Sequence, residues 1–179
     1  MIPSTIPSPK QTPTVWTGNP QAAVFPRLSS DLSADVVIIG AGITGLSTAR
    51  CLAAQDLRVV VLEAETVGSG TTGTSTGNLY APIDRYLHSI RSRHGDETLE
   101  MLVASRLAAI NRIREWISEH AIDCDQQQAP WHLFTTLESS SMDDVVAREL
   151  ETARRVGLPV SAVVPVDFPY HDVSALTTV

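Results

Sequence analysis

Three glycines, Gly40, Gly42 and Gly45, stand in G-x-G-x-x-G register where the apolar run "DVVIIG" gives way to "ITGLSTARCLAAQ". Each has its own use in holding a pyrophosphate. Gly40 allows a tight turn at a strand end, Gly42 has no Cβ to keep a phosphate off the main chain, and Gly45 lets a helix pack close against a strand. The helix N-terminus just after them adds unpaired N–H groups and partial positive charge. Glu63 stands 18 positions after Gly45 (63 − 45), close to the ~20 expected of an acid that binds ribose hydroxyls. Its carboxylate would repel a 2′-phosphate, which argues against NADP. Glycine triplets also arise by chance, and a ligand-free turn is the alternative, so the register means something only if the flanking elements are right.

A second stretch bears on which dinucleotide is held. "GSGTTGTSTGNL", Gly68 to Leu79, has almost no side-chain bulk before its last residue. A simple nicotinamide domain would continue from the ribose acid into ordinary βα structure. This segment instead offers exposed backbone groups and small hydroxyls that can run beneath a pyrophosphate and along the edge of a tricyclic flavin. A flexible loop is the plainer alternative, and an NAD-binding dehydrogenase fragment or a non-catalytic dinucleotide-binding remnant also stays open.

The elements these residues need are legible. "DVVIIG" and "RVVVLE" read as strands covered on both faces, and the segment between them reads as a helix with Leu46, Ala49 and Leu52 or Ala53 at helical spacing. Strand, helix and strand in about thirty residues make a βαβ unit with parallel strands. Beyond the small-residue loop, "PIDRYLHSIRSRHG" predicts a helix that stops near Gly95. Asp96 then caps a second helix to about His120, with Leu99, Val103, Leu107, Ile110, Ile113 and Ile117 as one stripe. Arg106, Arg112 and Arg114 lie off that stripe and are expected in solvent. "WHLFTT" predicts a strand, "SMDDVVARELETARRVG" a helix with Ser141 or a neighbour as cap and Gly157 past its end, and "PVSAVVPV" a further strand.

Composition bounds the rest. With 43% hydrophobic residues the 179-residue chain can build a core, and no apolar run is long enough for a membrane span. A net charge of −7 is no footprint for nucleic acid. Cys51 and Cys124 form neither a disulfide framework nor a metal-ligand pair, and a reducing cytoplasm is the expected setting. Six of the eleven prolines fall between Pro3 and Pro26, so residues 1–34 are expected to be an extended arm, pinned by Val15, Trp16, Phe25 and Leu28 if it docks at all. None of His88, His94, His120, His132 and His171 pairs with another residue at a convincing catalytic spacing, and no catalytic residue is nominated.

From Asp35 to Leu79 the sequence resembles the N-terminal FAD-binding region of the D-amino-acid oxidase/glycine oxidase-like flavoproteins, and a weaker likeness runs through "AINRIREWISEHAIDCD" and "PWHLFTT" to about Val164. "VW…FPRL" with "VGSGTTG" and "IDCD" resembles a bacterial subgroup that often carries a C-terminal Rieske iron–sulfur domain. The resemblance implies an α/β, Rossmann-like FAD-binding βαβ fold with a parallel sheet and additional helices, incomplete at the C-terminus, over residues 35–179. It implies FAD as cofactor and an amine or amino acid as substrate, oxidised at a C–N bond by hydride transfer to flavin. It places Ile43 and Thr44 at the pyrophosphate turn, Glu63 and Ala64 at the adenosine ribose, Thr71 and Thr72 near the phosphates, and Thr76, Gly77 and Asn78 at the flavin edge. Family members are roughly twice this size or more. The sequence is therefore expected to be an N-terminal portion with most of the substrate domain missing. No Cys-x-His…Cys-x-x-His occurs in it, so a Rieske domain or other electron acceptor would lie elsewhere in the full-length protein.

Overall fold

Strand β1 (Val36–Ile39) and strand β2 (Val59–Leu62) pair in parallel, Val36 opposite Val59 and Ile39 opposite Leu62. The computed structural model that shows this describes residues 23–83, 85–136, 140–163 and 173–178. Val15, Trp16 and His171 lie outside them. The β-branched run favours extended chain, and helix α1 (Ile43–Ala53) connects the two strands, giving the expected βαβ unit. Asp35 ties the strand starts together: Arg58 donates its backbone N–H and guanidinium to the Asp35 carboxylate at 2.8–3.1 Å. That cation holds the Asp35 carboxyl below its ordinary range.

One expectation fails here. The strands are covered on one face, not two. Exposure alternates along β1, with Val37 at 56% and Ile39 at 88%, while Ile38 packs toward Gly45 of α1. One helix against two strands covers only the side it crosses on. Phe25 and Leu28 are exposed, but Leu28 and Leu32 line a hollow of about 310 Å³ together with Val37, Val60 and Leu62.

The chain divides into two compact units, Met1–Asn78 and Leu79–Val179. In the second, helix α2 (Leu87–Glu119) is broken at Gly95, whose φ of 84° and ψ of 171° suit only glycine. The predicted break is therefore present, but the helix begins at Leu87, later than "PIDRYL" suggested. Helix α3 (Ser140–Arg155) comes after strand β3 (Trp131–Thr136) and ends at Gly157 (φ 75°). There the N–H groups of Gly157 and Leu158 donate to Arg154 and Ala153 carbonyls, a Schellman closure. Strand β4 (Val160–Val163) and an unforeseen strand β5 (Val173–Thr178) complete an antiparallel sheet in the order β3-β5-β4. The core of this unit gathers Ala81, Leu87, Leu99, Val103, Ala153 and Leu158, so the stripe read from α2 is buried at Leu99 and Val103.

Candidate functional site

The turn between β1 and α1 is built as its glycines require. Gly40 has φ 97° and donates its N–H to the Leu62 carbonyl at 2.7 Å, locking the turn to the end of β2. A Cβ on Gly45 would lie 2.0 Å from the Gly40 carbonyl oxygen, so only glycine lets α1 sit this close to β1. Gly42 is extended (φ −79°, ψ −178°) and forms the N-cap without a side-chain cap, and a Cβ there would meet the Thr72 hydroxyl at 3.1 Å.

Three hydrogen bonds lace this turn to the chain beyond β2. Glu63, directly after the strand, accepts the Ala41 N–H on Oε2 at 2.7 Å. Gly68 donates its N–H to the Ala41 carbonyl at 2.9 Å, and the Thr72 hydroxyl accepts the Ile43 N–H at 3.1 Å. The glycine turn, the acid and the small-residue loop therefore meet at one end of the parallel pair, where the strands' carboxyl ends and the helix N-terminus converge. Ala41, 1% exposed, uses both backbone groups in this lacing. Sequence reading passed over it, and its position between the first two glycines is the only signal it carried.

Glu63 also accepts the Glu65 N–H at 3.0 Å. The Ala41 N–H first, and then the Glu65 N–H, hold its carboxyl below its ordinary value, so it is an anion at neutral pH. A carboxylate has about four acceptor positions, and two are spent on these bonds, which leaves capacity for hydroxyl donors. In the first turn of α1, the N–H groups of Thr44 and Gly45 have no acceptor among the described residues. An anionic acceptor bonded to the glycine turn, and helix N–H groups without an acceptor at the end of that turn, suit ribose and phosphate respectively.

Of the remaining predicted residues, only Thr72 bonds to this junction among the described residues. Thr72 is half-buried and reaches α1, whereas Thr71 and Ala64 are exposed. Thr72–Thr74 form a short 3-10 turn in which Gly73 is forced, since a Cβ would lie 2.6 Å from the Gly68 carbonyl oxygen. Thr76, Gly77 and Asn78 are exposed, and no hydrogen bond joins them to the glycine turn among the described residues. Gly77 (φ 72°) donates its N–H to Ser75 Oγ at 3.2 Å.

Two side chains in the second unit correct the sequence reading. Arg106 is not in free solvent: its guanidinium donates to the carbonyls of Tyr80, Ala81 and Pro82 at 2.7–3.0 Å. His88 does pair: its Nδ1 lies 2.9 Å from Glu149, a carboxylate 2% exposed that also accepts the N–H groups of Leu87 and His88. Neither partnership could be read locally, since Glu149 lies 61 residues from His88.

The comparisons with known proteins agree with the geometry. The model of a family described as FAD dependent oxidoreductase (DAO) matches residues 35–168. YhfW of Bacillus subtilis, named as a Rieske 2Fe-2S iron–sulfur protein, is 33% identical over 132 residues, covering 73% of this chain and 26% of its own length. Gamma-glutamylputrescine oxidoreductase of Escherichia coli is 35% identical over 120 residues, 67% of this chain and 28% of that protein. The oxidoreductase OrdL of Haemophilus influenzae is 32% identical over 133 residues, 74% and 30% respectively. The chain thus spans between a quarter and a third of the length of these relatives. No solved structure matches it. Of the dinucleotides the glycine fingerprint leaves open, the matching family uses FAD.

Proposed function

We propose that this chain, which belongs to the FAD dependent oxidoreductase (DAO) family, supplies the nucleotide-binding part of an enzyme that oxidises a C–N bond of an amine or amino acid. The observation that carries the binding role is the junction of Ala41, Ile43, Glu63, Gly68 and Thr72, whose hydrogen bonds bring an anion and the turn that leads into α1 to the same end of the parallel pair. Glu63 would accept the adenosine ribose hydroxyls with Ala64 beside it. Thr44 and Gly45 would offer their N–H groups to the pyrophosphate, on a turn shaped by Gly40, Gly42 and Ile43. Thr71 and Thr72 flank the phosphates; the Thr72 hydroxyl accepts from Ile43, so its own hydrogen is free to donate. Thr76, Gly77 and Asn78 would line the flavin edge. Residues 35–179 are read as part of the oxidoreductase domain, with 1–34 as an arm outside the family match.

Held by Glu63, the glycine turn and the Thr71–Thr72 loop, FAD would supply the two-electron acceptor for oxidation of the C–N bond. The role of this chain's residues is to fix and orient the dinucleotide. The amine reading is supported by the relative named gamma-glutamylputrescine oxidoreductase, and a Rieske centre as electron acceptor by the relative named for one. Free, exposed Cys51 and Cys124 suit a reducing cytoplasm, and among the described residues no helix is long and apolar enough to cross a membrane.

The test is direct. The full-length protein should purify yellow and keep its flavin absorbance through dialysis, and a panel of primary and secondary amines and amino acids should include one that bleaches it anaerobically. A folded, colourless protein would overturn the reading. A yellow protein that no amine reduces would leave FAD binding standing and remove the amine chemistry.

A further inference from the structure

We propose that Gly73, braced by Thr74, is a positioning residue for the pyrophosphate of the cofactor: it lets the small-residue loop close on Gly68 and so sets the Thr72 hydroxyl at the N-terminus of α1. This rests on the FAD-binding role proposed above. Every contact involved lies within the first compact unit. Gly68 is fixed to the glycine turn, its N–H donating to the Ala41 carbonyl at 2.9 Å. At Gly73 the chain returns to it, so closely that an added Cβ would lie 2.6 Å from the Gly68 carbonyl oxygen. Thr72, directly before, accepts the Ile43 N–H on its hydroxyl at 3.1 Å, and the same hydroxyl would lie 3.1 Å from a Cβ on Gly42. Gly73 therefore rests on Gly68, Gly68 is held by Ala41, and the Thr72 hydroxyl lies over the second glycine of the fingerprint.

The distances show why one methyl group matters here. Restoring an ordinary carbon–oxygen contact of about 3.3 Å or more means moving Gly73 or Gly68 by several tenths of an ångström. Both are backbone positions, so the turn itself must shift. The Thr72 hydroxyl has no slack to absorb that shift. Its 3.1 Å bond is already near the long end of N–H···O bonds, and past about 3.5 Å the bond is gone. While it accepts from Ile43, that hydroxyl keeps one hydrogen to donate, and a bond from it to a charged phosphate oxygen is a strong one. Thr74 braces the same turn. Its hydroxyl lies 3.1 Å from the Gly70 carbonyl oxygen and 3.4 Å from that of Thr71, and its N–H donates to the Thr71 carbonyl at 3.4 Å.

The experiment uses cofactor-stripped full-length protein and compares Gly73→Ala, Thr72→Val, the two combined, and Thr74→Val. ADP affinity is measured by titration calorimetry, and amide exchange at Ile43 is followed by mass spectrometry with no ligand present. Gly73→Ala should lose at least about fivefold in ADP affinity and Thr72→Val about tenfold. The combined variant should lose no more than about twofold beyond Thr72→Val, because no hydroxyl is then left to misplace. Ile43 exchange should rise in Gly73→Ala, as in Thr72→Val. ADP affinity in Gly73→Ala within about twofold of the parent would overturn the proposal. So would losses that multiply in the combined variant, since Gly73 would then act by another route, or Ile43 exchange equal to the parent's. If Gly73→Ala does not fold, Thr74→Val decides: ADP binding about threefold weaker with faster Ile43 exchange upholds the placement of Thr72 by this turn, and either value equal to the parent's overturns it. If the parent itself binds neither ADP nor FAD, the functional reading fails instead, and Ile43 exchange alone still decides whether Gly73 sets the Thr72 hydroxyl.

Discussion

At the scale of single residues, Glu63 does two things with one carboxylate. It ties the glycine turn to the end of β2 through the Ala41 N–H, and it sets an anion on the turn that leads into α1. Glu63→Gln keeps the shape but replaces one acceptor oxygen with an NH₂ group, which must face either the Ala41 or the Glu65 N–H. ADP and FAD affinity should each fall roughly tenfold or more, read by fluorescence titration. The pH dependence has a definite sign. Backbone donors hold the folded-state carboxyl below its ordinary 4.5, so its bonds stabilise the fold above that pH and are lost as pH falls through the depressed value. Asp35 and Asp96, lowered by Arg58 and Arg91, titrate in the same acidic window. The informative quantity is therefore the melting-temperature gap between parent and Glu63→Gln, which should shrink from about pH 6 to about pH 3. A gap independent of pH would show that the ionised form gives no stability. Glu63 and Gly45 were legible because each is set by local spacing. The Thr72 contact with Ile43 was not, since a hydroxyl 29 residues along the chain leaves no mark on the helix it reaches.

At the scale of elements, α2 shows how a tertiary contact replaces a local signal. The Tyr86 side chain does not cap the first turn; Glu149 of α3 does so, accepting the Leu87 N–H at 2.6 Å and the His88 N–H at 3.0 Å. Glu149 lies on the buried stripe of α3 between Val146 and Ala153, an environment that admits a carboxyl group because two backbone N–H donors and the His88 ring meet it. Glu149→Ala should leave the buried Leu87 N–H and the half-buried His88 N–H unpaired and cost about 2–4 kcal/mol in urea unfolding, well beyond a surface cap. Gly95 isolates a backbone effect: nothing lies within 4 Å of a Cβ placed there, yet its φ and ψ suit only glycine. Gly95→Ala should therefore destabilise by about 1–3 kcal/mol, through strain alone. The break at Gly95 and the end of α3 at Gly157 were readable, because glycine marks both. The start of α2 was placed early because its cap is 62 residues away, and β5 was missed because strand pairing across such separations leaves no local pattern.

At the scale of the molecule, the exposed face of β1 and β2 is the feature with the widest consequence. The sequence pattern, continuous Val and Ile, belongs to a strand covered on both sides, and the first unit supplies cover on one. Val37 at 56% and Ile39 at 88% present apolar surface on a sheet face, where water gains nothing from contact and another apolar surface gains a good deal. The chain spans only 26–30% of the length of the three relatives compared above, whereas the glycine turn and its lacing are complete within one unit. The two facts predict different behaviours for residues 1–179 expressed alone. The nucleotide end should still recognise ADP, seen as a small rise in melting temperature at high ligand concentration. Retention of FAD through dialysis should be poor, because nothing in the lacing holds the flavin itself. The bare face should bind a hydrophobic dye such as ANS and drive concentration-dependent association. Ile39→Lys, at a position almost wholly in solvent, should reduce both dye binding and association without lowering the melting temperature by more than about 2 °C. If Ile39→Lys instead unfolds the chain, then Ile39 is buried in solution and the sheet has a cover on that side.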